Sequence, residues 1–261
     1  MYLSAERVAL VNQTIRTTFE QTCVAWQAIP HWDTGDPGQT QVANEGAVPF
    51  VNIQSPTVPL TLTLAELIAP TPDAVLTKIT NGVVSLAAQV DDFVFPQLRN
   101  NATGVVNLPA LTPVELVNGL ITARAGVENA GFRAPTGLFT DLTTFQIFHQ
   151  LTVSYVSAKE PLLDAGNTNS LHRINQLGPA PAVPPNHHIR AILLGRRQRI
   201  APGKASEASP GEEPVDLAVS IPPSFELVGE TTLNNIIKIN LRIRYAVRPK
   251  TSGGLAIITS P

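Results

Sequence analysis

Apolar positions at spacings of three and four run from Val8 through Val11, Ile15, Phe19 and Cys23 to Trp26, behind a capping Ser4 and an acidic Glu6. The pattern predicts one amphipathic helix of about six turns, ended at Pro30. Residues 31–38 (HWDTGDPG) read as a turn-rich connection. The runs 48–53 and 58–62 are short, β-branched and broken by prolines. That predicts strands at a sheet edge or in a projecting hairpin, not in mid-sheet.

Thr63-Leu64-Ala65-Glu66 has capping-box spacing and opens a short helix ended by Pro70. Pro72 and Asp73 then open a long helix with a stripe of Val75, Ile79, Val83, Leu86, Val90 and Phe93, stopped at Pro96. Thr112 and Glu115 repeat the capping box before a helix carrying Leu116, Leu120 and Val127, with Gly131 as its terminator. Leu138-Phe139-Thr140 reads as a strand leading to Asp141, the cap of a helix with Phe145 and Phe148. A third capping box stands at Ser157 and Glu160, and residues 171–177 continue helical. Residues 177–185 (LGPAPAVPP) hold four prolines and predict a stiff, extended loop. Residues 191–194 and 215–219 read as strands around a polar excursion, 196–214. The clearest periodicity comes last. Ile237, Ile239, Leu241, Ile243, Tyr245 and Val247 alternate with Lys238, Asn240, Arg242 and Arg244, a half-buried antiparallel strand with one basic face, and residues 255–258 make a final short strand. The class is α+β with short elements.

Composition narrows the function. Only 15% of residues are charged, 43% are hydrophobic and the net charge is -2, which excludes intrinsic disorder and argues against binding nucleic acid by bulk electrostatics. So little charge leaves much surface for subunit contacts to cover. Cys23 is the single cysteine, so no intrachain disulfide can form. Without a leader-like or membrane-spanning pattern, a reducing compartment is expected, the cytosol or the inside of a shell.

Candidate chemistry is sparse. The nucleophile elbow G-x-S-x-G and the phosphate-cradling glycine patterns are absent. The five histidines, His31, His149, His172, His187 and His188, show no metal-ligand spacing. Asp91 and Asp92 are neighbours on a predicted helix, so they face different ways and read as a solvated or salt-bridged face. Arg196-Arg197-Gln198-Arg199, with Lys204 nearby, reads as a solvated hairpin, because acidic Glu207, Glu212 and Glu213 follow it. No catalytic residue, metal site or cofactor is expected.

The order of elements carries a resemblance. An N-terminal helix, an extended hairpin, a long spine helix, a compact α+β insertion and a long returning strand together resemble the HK97-type capsid fold. Within it the sequence resembles the encapsulins, shell proteins of nanocompartments. The stretches that carry the likeness are Val58-Pro59-Leu60 before Thr63-Leu64-Ala65-Glu66-Leu67, Ala87-Ala88-Gln89-Val90-Asp91-Asp92-Phe93, Glu128-Asn129-Ala130-Gly131-Phe132, Val215-Asp216-Leu217-Ala218-Val219 and Leu241-Arg242-Ile243-Arg244-Tyr245. The extended loop is shorter than in typical encapsulins, and the excursion 196–214 is longer.

The resemblance implies a division into residues 1–37 (N-terminal helix and arm), 38–62 (short extended loop), 63–110 (peripheral domain with spine helix), 111–225 (apical domain) and 226–261 (return strands of the peripheral domain). It implies a homo-oligomer of about sixty copies closing an icosahedral shell around a cargo enzyme, of ferritin-like or peroxidase type, without a membrane. Its place would be the cytoplasm. In a phage or prophage major capsid protein, the alternative, the content is DNA and the place a virion; a monomeric cytosolic enzyme is a third reading. By the same resemblance Pro179, Pro181, Pro184, Pro185, His187 and His188 line a pore at a symmetry axis, and Val8, Val11 and Ile15 dock the cargo.

Overall fold

In the computed structural model, which describes residues 4–150, 157–178, 187–201, 205, 213–231 and 236–261, the apolar stripes meet in two large buried clusters. The first is built on α4 (Asp73–Asn101), the longest helix described. One side of α4 receives Val11, Ile15 and Phe19 of α1 (Ala5–Thr22), whose N-terminus is capped by the Ser4 hydroxyl accepting from the Arg7 amide. Another side lies on a four-stranded sheet of β1 (His31–Asp33), β9 (Val215–Thr231), β10 (Ile236–Pro249) and β4 (Thr57–Thr63), in that order. Gly82 sets the approach: a Cβ there would stand 2.7 Å from a Leu241 methyl, so no side chain fits between helix and sheet. Leu86, wholly buried, illustrates the energetics: truncation to Ala costs about 2–5 kcal/mol.

The second cluster packs α5 (Pro113–Asn129), α6 (Leu142–Phe148) and α7 (Lys159–Gly166) on a mixed sheet. Its strands are β5 (Gly104–Asn107), β11 (Leu255–Ser260), β8 (His188–Arg196), β6 (Ala134–Thr140) and β7 (Thr168–Arg173), in that spatial order. Leu116, Leu120, Ala123 and Val127 recur on one face of α5, and that face is its buried one. A small hairpin, β2 (Gln41–Ala43) with β3 (Phe50–Asn52), pairs with neither large sheet but packs Val42 on Ala218 and Ala246 of β9 and β10 and ties its turn to the Pro249 carbonyl through the Asn44 amide; the short α3 (Leu64–Ile68) carries the full capping box of Thr63 and Glu66.

Several elements differ from the sequence reading. The first helix is interrupted: α1 ends at Thr22, Cys23 is extended, and α2 (Val24–Ala28) restarts at an angle set by a carboxylate described below. Residues 31–33 are a strand, β1, parallel to β9, and the turn follows it, with Asp33 accepting from the Gly35 amide and Gly35 at φ 73°. α4 runs through Pro96 to Asn101. The proline forfeits one backbone bond, but Val94, Phe95 and Leu98 around it are fully buried, and their burial outweighs that loss. α7 starts at Lys159, with Ser157 accepting from the Lys159 amide, and ends at Asn167 in the left-handed region. Residues 168–173 form β7, so Leu171 is in a strand and not a helix. β5 and β11 join the five-stranded sheet with β6, β7 and β8.

Candidate functional site

Several large apolar side chains are exposed on different elements of the fold. The hairpin β2–β3 carries Val48 and Phe50, the latter 60% exposed, and a cleft of about 300 Å³ opens between the hairpin and the end of α4, lined by Val51, Gln54, Phe93 and Gln97 among others. Leu227 and Val228 stand exposed where β9 and β10 run out, and Val114 and Ile121 on the outer face of α5. β4 bonds only to β10, and β5 only to β11, among the described residues; each is an open sheet edge. A monomer of this kind exposes both apolar side chains and unpaired backbone.

The cargo-docking residues predicted from sequence sit elsewhere. Val11 and Ile15 are buried against α4, and Val8 is half-buried at the start of the same stripe, so the first two are core and cannot face a cargo while α1 is seated. The side α1 leaves open is polar: Asn12, Gln13, Arg16, Thr17 and Glu20. Of the pore residues, Pro179, Pro181, Pro184 and Pro185 lie outside the described residues. His187 Nδ1 is 3.4 Å from Thr259 Oγ1, and exposed His188 begins β8 opposite Ser260. The two histidines do not converge on each other.

Three buried polar centres escaped the sequence reading. Asp91, expected on a solvated face, is buried and receives the Val24 amide (3.1 Å), the Ala25 amide (2.9 Å) and the Cys23 thiol (3.3 Å). Burial pushes its carboxyl up to about 6, with the neighbouring Asp92 adding to the rise and the three donors opposing it. Asp92 is exposed and accepts from Gln176. Arg196, expected on a solvated hairpin, is almost completely buried. It donates to the Ala28 carbonyl (3.1 Å), Asn169 Oδ1 (3.2 Å) and the Ile200 carbonyl (3.3 Å), so it stitches the second sheet to α2. Its guanidinium comes down to about 10 because burial outweighs the attraction of buried Glu213. Arg197 lies over the Phe132 ring at 4.7 Å, and Lys204 is outside the described residues. The third centre is Asp216, wholly buried, with Arg248 and Lys250 on its oxygens.

A nucleophile-and-base pair also occurs on β7, Ser170 Oγ at 2.6 Å from His172 Nε2. Ser170 is buried and the His172 ring is stacked on Phe139, with burial and then the Arg196 charge holding the imidazole down to about 4. That arrangement satisfies two interior polar groups and presents no reactive oxygen to solvent. Among the described residues no group of three or more His, Cys, Asp or Glu is placed to hold a metal, and no helix is long and apolar enough to cross a membrane.

No family model matches the chain, and no curated protein matches it in sequence. Solved structures do match. The chain superposes on the virus-like particle from Pyrococcus furiosus with a TM-score of 0.67 at 11% identity, over 97% of this chain and 100% of that one. A phage-related protein from Bordetella bronchiseptica gives 0.63 at 11% identity over 96% and 95%, and a chain of Mycobacterium phage Adephagia 0.58 at 12% over 95% and 90%. The chain has the HK97-type capsid fold. The long helix that the sequence reading expects as a spine is α4.

Proposed function

We propose that this protein is a structural subunit that assembles with copies of itself into a closed icosahedral shell, most simply of about sixty copies, enclosing a cargo enzyme. The observation that carries the reading is the end-to-end match to the virus-like particle chain, which this chain covers completely at similar length. Two properties of the molecule support it. A chain with only 15% charged residues and exposed Phe50, Leu227, Val114 and Ile121 favours large contacts, and closed symmetry is how open edges such as β4 and β5 become covered. The role is structural and not catalytic.

The pore belongs to the same proposal: His187 and His188, at the start of β8, stand at the rim of an opening on a symmetry axis. The cytoplasm is the place that goes with an enzyme cargo. The second reading, a phage or prophage capsid protein around DNA in a virion, is favoured by the matches to phage chains, which are nearly as extensive. Negative-stain electron microscopy and mass measurement of the purified protein test both. Uniform small particles with co-purifying protein support the compartment, larger particles holding nucleic acid support the capsid, and a monomer at all salt concentrations overturns shell formation.

A further inference from the structure

Nothing in the β2–β3 hairpin itself fixes where it points. Each strand has three residues, neither joins a large sheet, and buried Val42 rests on the small side chains of Ala218 and Ala246, with Trp32, Val51 and Ile53 partly buried around them. A two-stranded hairpin of that size does not hold one orientation by its own bonds. β10 holds it instead. At the entry, Arg244 donates to the Pro37 carbonyl and, at 2.8 Å, to the Gln39 carbonyl. At the exit, Gln54 and Tyr245 exchange backbone bonds of 2.7 and 3.1 Å. At the turn, Asn44 Nδ2 donates to the Pro249 carbonyl at 3.2 Å, and a Cβ at Gly46 would collide with that carbonyl, so the turn lies close on the end of β10. At the end of β2, Arg248 Nη1 donates to the Ala43 carbonyl at 2.8 Å.

Arg248 differs from the other ties in being locked from behind. Its Nε and Nη2 are taken by the two Asp216 oxygens, its guanidinium lies over the Trp32 ring at 4.9 Å, and the remaining nitrogen, Nη1, is aimed at Ala43. A planar fork fixed at two corners has little freedom at the third. Glu45, on the turn, adds a further attraction to the same guanidinium. Beyond this tie stand Val48 and Phe50, 59% and 60% exposed. We propose that Arg248 is a positioning residue for assembly: it carries the direction of the buried Asp216 carboxylate to the hairpin turn, and so sets where Val48 and Phe50 meet a second copy of the chain. The docking role of those two side chains rests on the shell reading, whereas the aiming of the hairpin does not. Closed symmetry repeats one contact angle at every copy, and a hairpin free to swing has to be ordered afresh at each contact, which weakens all of them.

The test uses the full-length protein in whatever assembly it forms. Arg248→Lys keeps a cation for Asp216 but cannot hold both Asp216 oxygens and the Ala43 carbonyl in one plane, and Arg248→Met removes the charge as well. Hydrogen exchange read by mass spectrometry gives the protection of residues 41–52 divided by that of residues 116–127 in α5, which cancels changes in global stability. The ratio is expected to fall roughly tenfold in Arg248→Lys, as the loss of one charge-assisted bond implies, while its urea midpoint stays nearer the parent's than that of Arg248→Met. Microscopy should then show few closed particles, or particles of mixed size. Leu86→Ala, destabilised in the first cluster with every hairpin tie intact, should keep the ratio within about twofold of the parent and close particles like it, both compared well below their unfolding midpoints. An unchanged ratio in both Arg248 variants overturns the positioning role. Parent-like particles from a loosened hairpin, or particles lost equally in Leu86→Ala, overturn its bearing on assembly. If the parent itself forms no particles, the shell reading and the docking role fall together, and the exchange ratio still decides whether Arg248 aims the hairpin.

Discussion

Asp216 and Arg248 sit directly opposite each other on β9 and β10 and form a two-point ion pair, Nε to Oδ1 at 2.7 Å and Nη2 to Oδ2 at 2.8 Å. Lys250 reaches the same carboxylate at 3.0 Å and the Trp32 indole N–H donates to it at 3.3 Å. Arg248 also donates to the Ala43 carbonyl and covers the Trp32 ring. One buried carboxylate thereby ties β1, β9, β10 and, through Arg248, the turn end of the β2–β3 hairpin. Asp216→Ala would remove the buried carboxylate that Arg248 and Lys250 share, and a loss of about 3–5 kcal/mol is expected in urea unfolding. A loss below about 1 kcal/mol would mean that the network relaxes into solvent.

Arg196 makes a comparable joint between the two cores, and Gly137 is the floor on which it lies, since a Cβ at Gly137 would stand 2.9 Å from Nη2. Gly137→Ala should cost about 1–3 kcal/mol by crowding, and Arg196→Met about 3 kcal/mol by orphaning the Ala28 and Ile200 carbonyls and Asn169 Oδ1. Because both act at one contact, their effects should not add. In the Arg196→Met background the cost of Gly137→Ala should shrink toward zero, and a double-mutant cycle that comes out additive refutes the contact.

Acid acts on this fold through groups of opposite sign. His31 and His172 are held by burial at about 4, below the unfolded value near 6.5, so stability is lost as pH falls from 6.5 toward 4 while the unfolded chain takes up protons. Asp91, held at about 6 against an unfolded value near 4, contributes the reverse, with stability gained over the same descent. Each is worth up to about 3 kcal/mol, so two histidines outweigh one aspartate and a net loss of about 3 kcal/mol between pH 7 and 4 is expected. Substituting His31 and His172 together by Phe and Asn should invert the slope in equilibrium denaturation. A slope unchanged by that pair would clear both histidines of the effect.

The elements that periodicity exposes were legible: the spine-helix stripe, the buried face of α5 and the alternation of β10 all appear where spacing places them. Legibility failed where a distant residue decides. Nothing local to Cys23 announces a helix break, because the acceptor that permits it is Asp91, 68 residues away. Pro96 signals a stop, but Val94, Phe95 and Leu98 gain more by burial than the missing bond costs. Leu171 belongs to a strand because β6 is beside it, a pairing that short-range pattern does not contain. Arg196 has the same character. Its run of cations looks like surface, and only the fold delivers the carbonyls that make it interior. A signal existed for Asp91, which stands four residues after Ala87 and three before Val94, on the buried side of α4.

The shell reading makes a sharp demand on Phe50. Its side chain is 60% exposed at the tip of β3, its strand pairs only with β2 among the described residues, and it adds little to either large core. In a lone subunit Phe50→Asp should therefore leave stability within about 0.5 kcal/mol of the parent. In a shell the same side chain is expected against a neighbouring copy, where a carboxylate would lose its water without a partner and cost several kcal/mol at each of many equivalent contacts. Phe50→Asp should then give a folded protein with unchanged circular dichroism and unfolding midpoint that sediments as small oligomers. Glu20→Ala, on the exposed polar side of α1 away from the hairpin and the sheet edges, is the control and should assemble as before. If Phe50→Asp assembles as well as Glu20→Ala, the hairpin tip is not buried between copies and the contacts that close the shell lie on the sheet edges instead.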